Sequence, residues 1–140
     1  MKKIIEILKK EVEIAKNNNE IPVGAVIVDE NNNIIASGHN DRQNNYNVLG
    51  HAEINAIINA EKNIKDWRLN GYSIYVTLEP CDMCSYVIKE ARIDKVYFFV
   101  NSEYVSNNQV INKEQLDIDK YKEIYTEFKR DIQEFFKGKR

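Results

Sequence analysis

Residues 72–90 have the sequence YSIYVTLEPCDMCSYVIKE, and they give the clearest indication of the fold class. Its first part, residues 72–78, is apolar and rich in β-branched residues, which predicts a strand, and residues 81–90 follow with the periodicity of a helix. Pro80 suits the junction, because its fixed φ and missing N–H cost nothing at the start of a helix. The chain is therefore expected to turn from a strand into a helix here, with two thiols in the first helical turn.

Strands and helices alternate in the same way on both sides of this unit. Further strands are predicted over residues 23–28, 34–37 and 95–100, and further helices over residues 2–17 and 52–60. A helix is also favoured for most of 114–137, although 121–125 fits a short fifth strand. The alternation in the middle of the chain indicates parallel crossover connections and an α/β layer.

Length and composition narrow the class of protein. The chain has 140 residues, 43% of them hydrophobic, and a formal net charge of −2. These values predict one soluble globular domain over residues 1–140. Charged residues interrupt the N-terminal apolar pattern and no apolar run is long enough to span a membrane, so a cytoplasmic location is expected. The slightly acidic balance argues against a broadly basic nucleic-acid surface.

The chain has two cysteines, Cys81 and Cys84. A disulfide between residues three apart would close an awkwardly small loop, so metal ligation or redox chemistry is expected instead. At positions i and i+3 of the first helical turn, both thiols face the same way. The positive N-terminus of the helix also favours the thiolate form that binds zinc.

A second segment, His51-Ala52-Glu53, begins another predicted helix. His51 and Glu53 are two residues apart, a spacing that sends helical side chains in nearly opposite directions, so they are not expected to be two ligands from one helical face. His51 is instead predicted to bind a metal ion together with Cys81 and Cys84. Glu53 is predicted to move protons at a water on the open fourth position, which makes the site that of a hydrolytic zinc enzyme.

Each motif alone has a simpler explanation. A His-x-Glu pair is common by chance, and Cys-x-x-Cys is also a redox motif. Together, at two predicted helix starts and with Pro80 before the first cysteine, they favour zinc. A structural zinc site usually closes with four protein ligands; the only further histidine, His39, could complete such a site but is expected to be an ordinary loop residue.

At these residues the chain resembles the cytidine deaminase-like zinc deaminases, whose signature combines His-x-Glu with Pro-Cys-x-x-Cys. Within that superfamily it is most similar to the bacterial tRNA-specific adenosine deaminases. The similarity covers roughly residues 3–98 and includes IPVGAV at 21–26, Asn40, HAEINA at 51–56, WRL at 67–69 and YVTLEPC at 75–81. It implies a three-layer α/β/α fold around a central mixed sheet of four to five strands.

The resemblance also implies the chemistry of the site. One zinc ion per subunit would be held by His51, Cys81 and Cys84 and would activate water for attack on C6 of adenine, while Glu53 would transfer the protons. The implied substrate is the anticodon loop of a tRNA, in which adenosine becomes inosine at wobble position 34.

Three further residues are implied in substrate binding. Asn40 would hydrogen-bond the flipped base, the backbone N–H of Ala52 would help to orient it, and Ile21 would form a wall of the pocket. The resemblance implies a homodimer in which residues of the partner complete the rim of each site.

Two other functions remain open at this point. The segment Cys81-Asp82-Met83-Cys84 also occurs in relatives that deaminate cytosine, and the acidic balance suits a small substrate. A deaminase of cytosine, guanine or a nucleoside is therefore the first alternative, although the WRL and IPVGAV stretches favour the tRNA enzyme. The second alternative is a catalytically silent zinc-binding scaffold. Glu53 argues against it, because a structural ion needs no uncoordinated carboxylate beside it.

Overall fold

The structure is a computed structural model that describes residues 1–103, 105 and 109–138. Within these residues the elements follow in the order α1 (Lys2–Asn17), β1 (Gly24–Val28), β2 (Ile34–His39), α2 (Ala52–Ile64), β3 (Ser73–Leu78), α3 (Asp82–Glu90), β4 (Lys95–Val100), β5 (Lys113–Gln115) and α4 (Lys122–Gly138). None of the helices in the described part of the chain is long and apolar enough to cross a membrane.

The five strands form one mixed sheet in the order β2-β1-β3-β4-β5. Strand β1 pairs antiparallel with both β2 and β3, whereas β3, β4 and β5 are parallel. Parallel neighbours need a crossover connection, and α3 supplies it between β3 and β4. The carboxyl ends of these two strands consequently lie side by side, with Leu78 paired to Val100.

Helices cover both faces of the sheet. On one face, α2 and α3 pack on the strands through a core that includes Ala56, Ile57, Ile74, Val76 and Ile88. On the other face, α1 and α4 pack through a second core that includes Leu8, Val12, Val26, Phe99 and Phe128. All five residues of β1 are buried, as expected for a central strand covered on both faces. The predicted three-layer α/β/α arrangement is confirmed.

The predicted elements before residue 101 are confirmed with small shifts at their ends, and the helix favoured for most of 114–137 is confirmed as α4, Lys122–Gly138. The alternative of a short fifth strand over 121–125 is wrong, because the fifth strand is Lys113–Gln115. The polar strand forms because its backbone pairs with β4 at Val96 to Phe98. Tyr121 instead packs edge-on against Phe99, at 6.0 Å between ring centroids, just before α4 begins.

Candidate active site

Three metal-ligating side chains converge where two helices begin. His51 is the N-cap residue of α2, Cys81 is the N-cap residue of α3, and Cys84 lies in the first turn of α3. Nδ1 of His51 lies 3.7 Å from Sγ of Cys81 and 3.5 Å from Sγ of Cys84. The predicted ligands are therefore brought together by the fold, although they come from two segments about thirty residues apart in the chain.

The donor set fits a zinc ion in both chemistry and spacing. The three ligand atoms lie within 4.8 Å of one another. In a tetrahedral site with Zn–S of about 2.3 Å and Zn–N of about 2.0–2.1 Å, neighbouring nitrogen and sulfur ligands are separated by about 3.6 Å. The two His51 to cysteine distances match that spacing. One imidazole and two thiols leave a fourth position for water, which is the composition of a catalytic rather than a structural zinc site.

The pKa values of the two cysteines are shifted in opposite directions. Hydrogen bonds from Cys84, together with the neighbouring His51, lower the pKa of Cys81 to about 4. One of these bonds is the backbone N–H of Cys84, which donates to Sγ of Cys81 at 3.5 Å. The pKa of Cys84 is raised by its hydrogen bond to Cys81 and by burial, and the pKa of His51 is raised mainly by its hydrogen bond to Cys81. Cys81 is thus a thiolate, ready to bind a cation.

Glu53 lies beside this donor group but is not part of it. Its side chain belongs to the first turn of α2, and the residue is only 4% exposed. Burial raises the pKa of Glu53 to about 7, opposed by the hydrogen bond from its own backbone N–H. A carboxyl group with a pKa near neutrality can both accept and donate a proton at physiological pH.

His39 takes no part in the donor group. It is the last residue of β2, and its Nδ1 lies 3.4 Å from Oε1 of Glu11 on α1. The hydrogen bond to Glu11 raises the pKa of His39. Among residues 1–103, 105 and 109–138, the group that can hold a metal consists of His51, Cys81 and Cys84 alone, so no fourth protein ligand closes the site.

Asn40 and Ala52, both predicted to bind substrate, are hydrogen-bonded to each other. The backbone N–H of Ala52 donates to Oδ1 of Asn40 at 2.7 Å, and both residues are buried. Because this oxygen is engaged, the NH₂ group is the part of the Asn40 amide that can donate to a substrate. A role for the Ala52 N–H in orienting the base would require this bond to be exchanged, so both substrate roles stay predictions.

A pocket of about 570 Å³ opens above these groups. Its floor is formed by His51, Glu53 and Cys81, and its side wall by Ile21, Asn40 and Arg42. The name floor covers these three residues together with Cys84, which is buried beside them and does not itself line the pocket. The volume lies within the range of small-molecule sites. Tyr86 of α3 is 55% exposed and does not line the pocket, so it does not narrow the entrance.

The outer wall of this pocket was not predicted. It consists of five α4 residues and four residues at the end of β4: Val100, Asn101, Ser102, Glu103, Lys129, Ile132, Gln133, Phe136 and Lys137. The α4 residues follow Lys129 at intervals of three, four, seven and eight, which places them on one helical face. The helix itself could be predicted from its periodicity, but its contact with the pocket depends on tertiary packing.

Glu79 connects the outer wall to strand β5 through a hydrogen bond and an ion pair. Its Oε1 accepts a hydrogen bond from the backbone N–H of Ser102 at 3.1 Å, and its Oε2 lies 2.7 Å from Nζ of Lys113 on β5. The side chains of Glu79 and Lys113 are only 14% and 19% exposed. Such a well-shielded pair is screened less by solvent than a surface pair, so the end of β4 is held close to β5.

A polar groove continues from the pocket past Asn40, Arg42 and Phe136. It is about 580 Å³ in volume and is lined on its far side by Tyr46, which is 96% exposed and has a positive φ of 50°. Glu20 holds the loop that forms the groove, because its carboxylate accepts the backbone N–H groups of two residues of that loop, Gln43 and Asn44. The site therefore extends beyond the volume that one base occupies.

Comparison with known proteins agrees with this geometry. Residues 1–100 match the family model described as the cytidine and deoxycytidylate deaminase zinc-binding region. The chain belongs to this deaminase family. All four residues of the floor lie inside the matched region, whereas β5 and α4 lie outside it.

Similar members of the family include tRNA-specific adenosine deaminases. The Rickettsia felis enzyme is 49% identical over 90 residues, which is 64% of this chain, and the chain spans only 62% of that relative's length. The enzyme of Buchnera aphidicola subsp. Schizaphis graminum is 33% identical over 132 residues, which cover 90% of this chain and 87% of the relative.

One similar solved structure comes from a study of A-to-I editing by tRNA:A34 deaminases at the wobble position. It is 36% identical, with a TM-score of 0.69, and the alignment covers 72% of this chain and 77% of that chain. The fold predicted from the resemblance is thereby confirmed for the larger part of the molecule.

Proposed function

We propose that the protein is a zinc-dependent hydrolytic deaminase that converts adenosine to inosine at the wobble position of tRNA, and that residues 1–140 form a single catalytic domain. The observation that carries this proposal is the buried carboxyl group of Glu53, which lies beside the three metal-ligating groups on the floor of one pocket. A structural metal site has no use for such a group, and a hydrolase needs it for proton transfer.

The reaction consumes adenosine and water and releases inosine and ammonia. His51, Cys81 and Cys84 would hold one zinc ion, which would activate a water molecule for attack on C6 of the base. Glu53 would take a proton from that water and pass it to the ring nitrogen. It would then carry the remaining proton of the hydroxyl group added at C6 to the amino group, which leaves as ammonia when the C6–N bond breaks. Asn40 would donate a hydrogen bond from its NH₂ group to the base, with its oxygen held by the Ala52 N–H.

Two features of the pocket support a polynucleotide over a free base. Lys129 and Lys137 on the outer wall and Arg42 on the side wall supply positive charge around the entrance, which suits backbone phosphates. The groove beyond Asn40 carries the exposed aromatic ring of Tyr46, and such rings stack with unpaired bases. The similar tRNA-specific adenosine deaminases agree with an RNA substrate.

The substrate is tested with purified, zinc-loaded protein. An anticodon stem-loop carrying adenosine at the wobble position is compared with the same stem-loop carrying its adenosine one position away. Free cytosine, guanine, adenine and adenosine are tested in parallel, with ammonia release and base conversion as the readouts. We expect conversion of the wobble adenosine alone.

Turnover of the free bases or nucleosides without turnover of the stem-loop would replace the proposed substrate by a small molecule while leaving the zinc chemistry in place. Turnover of none of them by protein with a full complement of zinc would favour the silent scaffold.

We also propose a homodimer that uses the outer faces of α2 and α3. Exposed apolar side chains lie on both neighbouring helices, with Ile58 42% and Tyr86 55% exposed, and Leu49, just before α2, is 47% exposed. Apolar groups exposed together on adjacent elements are typical of protein interfaces. Light scattering should give twice the mass of the chain, and Tyr86→Glu should lower it. A monomer at working concentration would contradict this proposal.

A tRNA substrate would place the protein in the cytoplasm, as the sequence predicts.

A further inference from the structure

Three asparagines of α2 form a ladder along the edge of the sheet. The side-chain amides of Asn55, Asn59 and Asn63 donate to the backbone carbonyls of His39, Ser37 and Ile35 at 2.9, 2.9 and 2.8 Å. Four helical residues rise about 6 Å and two strand residues about 6.6 Å, so successive rungs stay nearly in register. The ladder joins α2, which carries Glu53, to the edge strand β2.

The first rung differs from the other two. The Nδ2 group of Asn55 donates to Oδ1 of Asp41 at 2.8 Å as well as to the carbonyl of His39. These two partners are the residues on either side of Asn40, whose own Oδ1 accepts the Ala52 N–H. The first turns of α2 thus hold three consecutive residues by three hydrogen bonds, two of them from Asn55.

Gly38 makes this arrangement sterically possible. A Cβ atom at Gly38 would lie 2.6 Å from the backbone nitrogen of Ala56 and 2.8 Å from the carbonyl oxygen of Ala52. Only a residue without a Cβ lets the beginning of α2 lie this close to the end of β2. The Asn55 side chain is short, and it reaches both of its partners because of this close approach.

We propose that Asn55 is a positioning residue that fixes Asn40 relative to Glu53. It acts through His39 and Asp41 and does not line the pocket. The inference rests on the proposed function in one respect, namely that Asn40 contacts the base. Loss of Asn55 would remove the donor to the His39 carbonyl and to Oδ1 of Asp41. The backbone bonds of Asn40 to Val23 and of Asp41 to Gly50 would remain, but the Asn40 side chain would be held less firmly toward the pocket.

Asn59 provides the matched control. It belongs to the same ladder and makes the same kind of bond to β2, but the bond is exposed to solvent, whereas both Asn55 bonds are partly buried. Water can replace an exposed donor, while a partly buried acceptor left without its donor pays a desolvation cost. A purely structural role would therefore change only stability, and more at Asn55 than at Asn59. A positioning role predicts in addition that loss of Asn55 changes the exchange of the Ala52 amide and the KM for the substrate.

The experiment compares Asn55→Ala, Asn55→Ser and Asn59→Ala in the full zinc-loaded chain. We expect zinc content to stay at the wild-type level in all three. Hydrogen exchange of the Ala52 amide, measured by NMR, should become at least tenfold faster in the Asn55 variants, because its acceptor Asn40 is held less firmly. With the stem-loop substrate, kcat/KM should fall at least tenfold, mainly through a higher KM. Asn59→Ala should leave both quantities unchanged.

Unchanged Ala52 exchange in the folded Asn55 variants would overturn the inference, and so would equal effects of Asn59→Ala. Asn55→Ser keeps a hydroxyl donor and guards against the case in which the alanine variant fails to fold. If the wild-type protein deaminates none of the substrates, the proposed function fails, but the exchange of the Ala52 amide still decides whether Asn55 positions Asn40.

Discussion

Each ligand on the floor of the pocket is positioned by the start of a helix, and the fold brings the two helix starts together, whereas the outer wall is positioned by the packing of a whole helix on the sheet. His51 and Cys81 each occupy the N-cap of a helix, so the turn that begins the helix also places the ligand. The outer wall depends instead on α4, which is held to the sheet by contacts such as that of Phe128 with Phe99, at 5.3 Å between ring centroids. The difference suggests that the floor determines the chemistry and the wall determines which substrates enter.

The largest effect is expected from removing a ligand on the floor. Cys84→Ala leaves only two of the three donors, so the chain should no longer retain zinc, and activity should fall below detection. Zinc content by atomic emission and deamination of the stem-loop measure the two outcomes. Met83→Leu, between the cysteines in the same helix, is the control and should keep both. If the variant without this thiol keeps its zinc and its activity, Cys84 is not a zinc ligand.

The next largest effect is expected from Glu53→Gln, which keeps the size of the side chain but removes its proton transfer. Turnover should fall by about 10²- to 10⁴-fold, while zinc content and melting temperature stay close to those of the wild type. Glu61→Gln, farther along α2, serves as the control and should remain active. Near-normal turnover of Glu53→Gln would mean that another group moves the protons.

The outer wall should respond in binding rather than in chemistry. Changing both Lys129 and Lys137 to Ala is expected to raise KM for the stem-loop with little change in kcat, because two cations near the entrance are lost. The slope of log affinity against log salt should become shallower by about 1.4 if each lysine contacts one phosphate of single-stranded RNA. Arg130→Ala, which removes one positive charge from a residue that does not line the pocket, is the control and should change KM far less. A loss of kcat with unchanged KM would show that the wall takes part in the reaction itself.

The smallest effect is expected at the junction of β2 and α1, where His39 meets Glu11. Because the hydrogen bond to Glu11 raises the pKa of His39, the protonated form stabilises the fold. That stabilisation is complete below the unfolded pKa of about 6.5 and is lost as pH rises through the higher folded pKa. The free energy of unfolding of the wild type relative to His39→Gln should therefore decrease with rising pH, by no more than about 1 kcal/mol. Glu11→Gln should remove most of this dependence and leave the smaller part that Asp41 and Glu20 contribute to the raised pKa of His39. Persistence of the full dependence would assign the effect to another group.

The same contrast explains what the sequence could predict. The floor follows from short motifs whose helix starts are marked by Pro80 and by the spacing of the ligands. Strand β5 consists of only three residues, all with polar side chains. It forms because its backbone pairs with the edge of β4 and because Lys113 forms an ion pair with Glu79. Neither cause is visible in the local sequence. The hydrogen bond between Asn40 and Ala52 was likewise hidden, because both residues were predicted only as separate contacts to a base.

The asparagine ladder has a consequence for how copies of the chain meet. A strand at the edge of a sheet is a template onto which a strand of another molecule can add, and this is a common route to aggregation. Along β2 the carbonyls of Ile35, Ser37 and His39 already accept hydrogen bonds from α2. An incoming strand would have to displace three amides before it could pair, so the ladder protects this edge against β-addition and leaves association to the helical faces.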